Sequence, residues 1–87
     1  MQSYIRTYRR RRHLLVKEVA ALIGHHGSSS VSRWEHGHKR PCFRNAMKLA
    51  VILSCPIEVL FLNQFHQIRS SIRNTRKQLG IRNPPEF

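Results

Sequence analysis

The chain has 87 residues and is strongly basic, because sixteen Lys and Arg face four Glu and no Asp, which gives a net charge of +12. A chain this short buries only about 60–65% of its unfolded surface, so it has room for one small core. Self-repulsion at this charge destabilises the compact state unless a polyanion neutralises it. Apolar residues make up 40% of the chain, enough for a folded domain rather than a solvated basic tail.

Several other classes of protein are excluded by what the sequence lacks. The longest apolar run, residues 49–53, is far short of the roughly 20 residues that span a membrane, and no apolar signal core follows the amino end. Four scattered Glu without Asp do not build a hydrolytic site, and there is no glycine-rich phosphate loop or CxxC motif. We therefore expect no enzyme, no cofactor and no small-molecule substrate. Cys42 and Cys55 are expected to be reduced thiols in the cytoplasm.

The amino-terminal third is predicted to form two helices, because its apolar residues recur at helical spacing and do not alternate as in a strand. The first helix covers about residues 3–12 and has Ile5 and Tyr8 on one face. The second covers about residues 16–23 and ends at Gly24, which suits the left-handed conformation. The inward face of this helix is expected to contain Val19, Ala20, Leu22 and Ile23.

Two further helices are predicted in the middle of the chain. The third covers about residues 28–36, with a cap at Gly27 or Ser28, a stop at Gly37, and Val31 and Trp34 pointing inward. The fourth covers about residues 43–53, and its apolar residues three and four apart are Phe43, Ala46, Leu49, Ala50 and Leu53. Core positions, rather than a platform for stacking bases, are expected for Trp34, Phe43 and Phe61.

The last quarter of the chain is compatible with one extended helix over residues 57–79, opened by Pro56. Its apolar seam consists of Phe61, Phe65, Ile68, Ile72 and Leu79, and its polar face carries Arg69, Arg73, Arg76 and Lys77. The seam either packs on the domain's own core or forms a dimer interface. The tail cannot remain helical through Pro84 and Pro85 and is expected to be loose.

The second and third predicted helices, joined by a short turn at Gly24, make a helix-turn-helix pattern. The pattern covers the chain from Arg9 to Phe61 and has three parts in order. They are an Ala followed by a Gly, a Glu-x-Gly-x-x-x-Pro motif and a Leu-Ala-x-x-Leu motif. These are Ala20 and Gly24; Glu35, Gly37 and Pro41; and Leu49, Ala50 and Leu53. With these residues the chain resembles the phage-repressor-like, Xre/Cro-type helix-turn-helix family.

The resemblance implies an all-α protein with a five-helix, lambda-repressor-like DNA-binding domain at residues 1–62. A basic helical extension follows at residues 63–87. The implied function is sequence-specific regulation of transcription, as a repressor bound to double-stranded DNA in the cytoplasm, at the nucleoid. A homodimer is expected, because repressors of this type bind two half-sites about one helical turn apart.

In the family the third helix reads the major groove, where side chains near its amino end reach base edges. By this resemblance the base contacts are Ser28, Ser29 and Arg33, and Arg33 can bond O6 and N7 of one guanine. The implied phosphate contacts are Lys17, Ser32, His38, Lys39, Arg40 and Arg44. The alternatives are that the serines only cap the helix and that Arg33 faces phosphate or water.

The sequence departs from the family around the second helix. His13, Leu15 and Val16 stand where the family has Gly, a capping Thr, and a Gln that contacts phosphate. The turn between Gly24 and Glu35 is one residue longer than usual. Ser30 is therefore an alternative to Ser28 or Ser29 as a reader of bases.

The resemblance also implies a structural ion pair. Arg9 and Glu35 match a pair that braces the first helix against the end of the recognition helix. The alternative is that Arg9 is one more solvated member of the arginine run at residues 9–12.

Four histidines lie around the third helix: His25, His26, His36 and His38. They do not have the spacing of zinc ligands, and no cysteine or carboxylate accompanies them as in a usual zinc site, so no metal is expected. We interpret them as polar turn residues that gain charge, and so affinity for DNA, as the pH falls toward about 6.

A second function remains open. The same helical scaffold serves as a protein-interaction module, such as an antitoxin or adaptor, whose basic surface meets an acidic partner. Steep loss of affinity for duplex DNA with salt distinguishes a DNA-binding regulator from such a module.

Overall fold

The computed structural model of the protein describes residues 3–82, and every regular element in that range is a helix. The helices are α1 (Ile5–Arg11), α2 (Val16–Ile23), α3 (Ser29–Glu35), α4 (Phe43–Ile52), α5 (Ile57–Leu60) and α6 (Leu62–Leu79). The predicted all-α architecture, five helices followed by a helical extension, is confirmed. None of the helices described is long and apolar enough to cross a membrane. The expectation for the tail at Pro84 and Pro85 concerns residues outside the described range.

One core joins the first five helices. α2 packs against both α3 and α4, while α1 packs against α3 and α5 against α4. Each of the five helices supplies at least one fully or almost fully buried apolar side chain to this core: Ile5, Val19, Val31, Leu49, Leu53 and Leu60. Trp34, predicted as a core residue, is 3% exposed and belongs to the same cluster. The recognition helix of the predicted helix-turn-helix is therefore fixed to the core along its inner side.

Two side chains expected in the core lie at the surface instead. Phe43 is 73% exposed and Leu22 is 62% exposed. Leu22 lies roughly 100° around α2 from the face that the buried residues of this helix share. Phe43 is the first residue of α4 and stands roughly 70° from the buried face of that helix. Phe61, also expected in the core, is only partly buried against it.

The single helix predicted for residues 57–79 is wrong, because the chain bends between α5 and α6. Phe61 has φ −119° and ψ 46°, outside the helical range. The Leu60 carbonyl accepts a 2.9 Å hydrogen bond from the Tyr4 amide, instead of serving the residue four positions further on. The Leu60 side chain is fully buried. The tertiary contact that holds the amino end in place therefore determines where the helix is interrupted.

Left-handed backbone shapes the two ends of α2. Gly24, at its carboxyl end, has φ 100°, a conformation that glycine adopts without steric cost. His13, shortly before α2, has φ 57°, which costs a residue with a Cβ about 1–2 kcal/mol. His13 stands where the resembled family has glycine. The turn thus keeps the backbone conformation that glycine favours, although the residue differs.

Two basic side chains close helix ends. Arg12 donates from Nε to the Leu53 carbonyl (2.8 Å) and from Nη2 to the Ser54 carbonyl (3.0 Å), at the end of α4. Lys48 Nζ donates to the Ile23 carbonyl (3.0 Å) at the end of α2. A cation at a helix carboxyl end satisfies free carbonyls and interacts favourably with the helix dipole. Part of the positive charge therefore stabilises the fold and is not available to a partner.

Replacing Arg12 by Ala is expected to lower the free energy of unfolding by about 1–2 kcal/mol, because two carbonyls at the end of α4 lose their cationic donor. Urea denaturation measures the change. Arg10→Ala is the matched control, since it removes the same charge from an exposed neighbour in α1. Equal midpoints for the two variants would contradict a structural role for Arg12.

Candidate nucleic-acid interface

The outer face of α3 is polar, and its inner face is apolar. Val31 and Trp34 are buried in the core. At 100° per residue, Ser29, Arg33 and His36 lie on the opposite side of the helix, and all three are exposed. Two of the predicted base contacts, Ser29 and Arg33, therefore face outward together, one helical turn apart.

The serines at the start of α3 do not share one environment. Ser28 is the exposed residue that precedes the helix, and its side chain makes no capping hydrogen bond. Ser30 and Ser32 are half-buried at the two flanks of the outer face. This arrangement favours Ser29 over the alternative Ser30 as the serine directed away from the protein.

His36 was not among the predicted site residues, although the third helix was predicted to extend to it. Its Nδ1 lies 2.7 Å from the Ser32 carbonyl. A carbonyl oxygen only accepts, so Nδ1 carries the proton and Nε2 is left as the acceptor of the neutral ring. The sequence could have shown that His36 lies on the outer face, because residues three apart lie on the same face of a helix and residue 36 follows Arg33 by three.

The segment that follows α3 folds back onto the end of this helix. The His38 amide donates to the Arg33 carbonyl (2.9 Å), and Gly37 has φ 74°, which lets the chain reverse. The His36 and His38 rings stack with their centroids 6.1 Å apart. The loop is thereby held next to the polar face of α3.

Exposed cations surround this face in the sequence and in the fold. Lys17 is in the first turn of α2, which packs against α3. The other predicted phosphate contacts follow α3 in the loop and the first turn of α4, and all of them are exposed: His38, Lys39, Arg40 and Arg44. Because these side chains are exposed, their charges are available to a partner.

The amino end of α2 is capped by a glutamate side chain, because the N-cap residue is a leucine that cannot form the usual side-chain hydrogen bond. The Glu18 carboxylate accepts a 2.8 Å hydrogen bond from the Leu15 amide, the half of a capping box that a leucine permits. Val16, which stands where the resembled family has Gln, packs against the core instead of facing a phosphate. Lys17 and Glu18 are the polar side chains that this turn presents to solvent.

Arg9 and Glu35 form a two-fold hydrogen-bonded ion pair. Arg9 Nε donates to Glu35 Oε2 (2.6 Å) and Nη2 donates to Oε1 (3.0 Å), while Nη1 donates to the Leu14 carbonyl (3.0 Å). The two side chains are only 11% and 3% exposed. The hydrogen bonds that Arg9 donates to the Glu35 carboxylate raise the pKa of Arg9, desolvation opposes this effect, and the carboxylate's charge adds to it. The pair ties α1 to the last residue of α3, and so fixes the angle of the helix that carries Arg33.

The histidines and cysteines show no arrangement suited to a metal ion. Within residues 3–82, no three His, Cys, Asp or Glu side chains converge on one point. The His25 ring packs against Trp34 at 5.8 Å between centroids. Cys42 is an exposed free thiol and Cys55 is a buried one. The chemistry of this surface is therefore that of hydrogen-bond donors and positive charge.

Comparison with known proteins agrees with this geometry. The helix-turn-helix family pattern matches residues 5–60, which contain α1 to α5 and leave out α6. No curated protein matches the chain. Since the family pattern covers more than half of the sequence, the chain belongs to the helix-turn-helix family of Xre/Cro type, whose members are DNA-binding transcriptional regulators.

Proposed function

We propose that this protein is a sequence-specific repressor of transcription that reads the major groove of double-stranded DNA with α3. The observation that carries the proposal is the outer face of this helix. Ser29, Arg33 and His36 stand on it without any exposed large apolar residue, and the major groove admits one helix of this kind. Val31 and Trp34 anchor the helix in the core, so its outer face is already positioned before binding.

Base contacts are assigned to Ser28, Ser29 and Arg33, with His36 as an added donor or acceptor at the end of the same face. Arg33 carries most of the discrimination, because its planar guanidinium can bond both acceptors of a guanine, whereas a serine hydroxyl donates or accepts and so distinguishes bases poorly. Phosphate contacts position the helix and carry no sequence information. They are assigned to Lys17, Ser32, His38, Lys39, Arg40 and Arg44.

The unit that binds DNA is residues 1–62, and residues 63–87 are an extension that joins two copies. A homodimer supplies two recognition helices for two half-sites about one helical turn apart. The proposal includes no enzymatic activity, cofactor or metal, and it places the protein in the cytoplasm at the nucleoid. Repression follows if the operator overlaps a promoter.

Selection of bound sequences from a random duplex pool tests the proposal. We expect a recurring half-site that contains at least one guanine in each copy and two half-sites about 10 base pairs apart. Affinity for random duplex is expected to fall steeply with salt, with a slope set by the number of phosphates neutralised. The selected site is expected to bind about a thousandfold or more tightly than random duplex at equal salt.

A matched control separates DNA reading from simple charge. Binding to a single-chain polyanion such as heparin follows net charge alone, so it is not expected to depend on Arg33. If the selection enriched no DNA sequence and the protein bound an acidic protein tightly, the interaction-module function would be supported and the proposal contradicted.

A further inference from the structure

The helix α6 exposes an apolar stripe that nothing within the described chain covers. It has 18 residues, none of which is buried, and it packs mainly against α5. Its apolar side chains are 43% (Phe65), 63% (Ile68), 50% (Ile72) and 66% (Leu79) exposed. Exposed apolar stripes often mark interfaces, and of the predicted seam only Phe61 packs against the domain's own core.

The three faces of α6 differ in charge. The apolar residues at positions 65, 68, 72 and 79, spaced by three, four and seven, lie within roughly 60° of one another. The basic residues all follow on one flank of the stripe, and they are Arg69, Arg73, Arg76 and Lys77. The other flank is neutral, with Gln64, Ser71 and Gln78, and no acidic residue occurs between Glu58 and Glu86. The helix therefore offers a partner one apolar seam with a basic side and a neutral side.

We propose that this stripe takes a second copy of the same chain, with the two α6 helices antiparallel and Ile68 packed against the partner's Ile72. The proposal rests on the proposed function, since it specifies how the dimer is joined. In this register Phe65 meets the partner's Thr75, and Leu79 reaches the bend that precedes the partner's α6. A twofold axis then crosses the pair at Ser70, so both copies use the same surface, as a closed dimer requires.

The length of α6 supports the antiparallel arrangement. Leu62, where α6 leaves the domain, is eight residues from the twofold axis, so the two junctions are roughly 25 Å apart at 1.5 Å per residue. The two half-sites of such a repressor lie roughly 34–36 Å apart, so two domains joined in this way start well separated on the same scale. A parallel pair would place the two junctions only about 8–10 Å apart.

The charge pattern gives the dimer a dependence on DNA. About a twofold axis perpendicular to both helices, the two basic flanks lie on the same side of the pair and the two neutral flanks lie on the other. Arg69 and Arg76 then stand beside the arginines of the partner's helix, and their repulsion weakens pairing in the free chain. A polyanion on that side removes the repulsion. Duplex DNA that binds both domains therefore also strengthens the joint between them.

Cysteine cross-linking tests the orientation. In a Cys42→Ser background, one chain carries Phe65→Cys and a second, distinguishable by a size tag, carries Thr75→Cys. Residues 65 and 75 are roughly 15 Å apart along one helix, so the two orientations give different products. We expect the mixed 65–75 disulfide and little 65–65 or 75–75 product, both in the free chains and with a random-sequence duplex. Asn74→Cys in place of Thr75→Cys is the control, since residue 74 faces away from the stripe.

The charge variants test the coupling to DNA. Arg69→Gln with Arg76→Gln is expected to raise the rate of cross-linking of the free chains roughly fivefold at low salt, as like charges beside the seam are removed. It is also expected to abolish the further increase on adding duplex. Arg73→Gln with Lys77→Gln, which neutralises basic residues farther from the seam, is expected to leave cross-linking of the free chains unchanged.

The outcomes separate this inference from the proposed function. Homotypic 65–65 and 75–75 products would overturn the antiparallel pair, whether or not the chain binds DNA. If one copy of the chain sedimented on a selected duplex with two half-sites and no cross-link formed, a second copy would not be the occupant of the stripe. The stripe would then be left to an acidic helix of another protein. If the mixed disulfide formed but the protein selected no DNA sequence, the antiparallel pair would be supported and the proposed function would be contradicted.

Discussion

Replacing Glu35 by Ala is expected to lower the free energy of unfolding by about 2–4 kcal/mol, because it leaves the guanidinium of Arg9 charged, nearly buried and bonded only to the Leu14 carbonyl. Arginine does not escape by losing its proton, so the whole cost falls on the folded state. For a domain of this size the midpoint of thermal unfolding falls by on the order of 10–20 °C. Calorimetry or circular dichroism measures the shift.

Two further variants make this result specific to the pair. Glu58→Ala removes the same charge from an exposed position on α5 and is expected to change stability by less than about 1 kcal/mol. Arg9→Met combined with Glu35→Leu is expected to recover much of the loss, since apolar residues of similar volume often replace a buried ion pair without cost. If Glu35→Ala had the same midpoint of thermal unfolding as the wild type, the pair would not brace the recognition helix.

Arg33→Ala and Arg40→Ala are expected to weaken DNA binding in different ways, because the proposed function assigns a base contact to Arg33 and a phosphate contact to Arg40. Arg33→Ala is expected to lose about 1–3 kcal/mol of affinity for the selected site and much less for random duplex. Arg40→Ala is expected to lose similar affinity for both and to reduce the salt slope by about one. Titration of both duplexes at two salt concentrations measures the difference.

Arg33→Lys is the control for charge in this experiment. It keeps one positive charge on the outer face of α3 but loses the planar fork, so it should resemble Arg33→Ala on the selected site and the wild type on random duplex. If Arg33→Ala lost affinity equally for both duplexes, Arg33 would be a phosphate contact and the assignment of base readers would be wrong.

The sequence alone predicts the fold well where local signals and tertiary packing agree. The bounds of α2 were predicted without error, because an apolar repeat ends at a glycine that can adopt a left-handed conformation. The inner face of α3 followed from the spacing of Val31 and Trp34. The exposed cations around α3 were also identified, since charge and the family pattern both point to them.

Other features depend on contacts that no local pattern reveals. The break at Phe61 follows from the bond between Tyr4 and the Leu60 carbonyl, which joins the two ends of the domain. Arg12 looked like one more member of a basic run, yet it reaches carbonyls 41 and 42 residues away. Phe43 has the right spacing for a core residue, and only the end of α4 leaves it uncovered. Each of these differences is a tertiary effect on a correctly predicted local element.

The exposure of α6 has a consequence for how the chain unfolds. The 18-residue helix α6 packs mainly against α5 and has no buried residue, so tertiary packing adds little to its stability. It therefore opens and closes without disturbing the core of α1 to α5, which makes it a separate cooperative unit of low stability. In the proposed dimer, part of the free energy of pairing goes into ordering this helix, so we expect dissociation to be easier than the apolar area of the stripe alone would suggest.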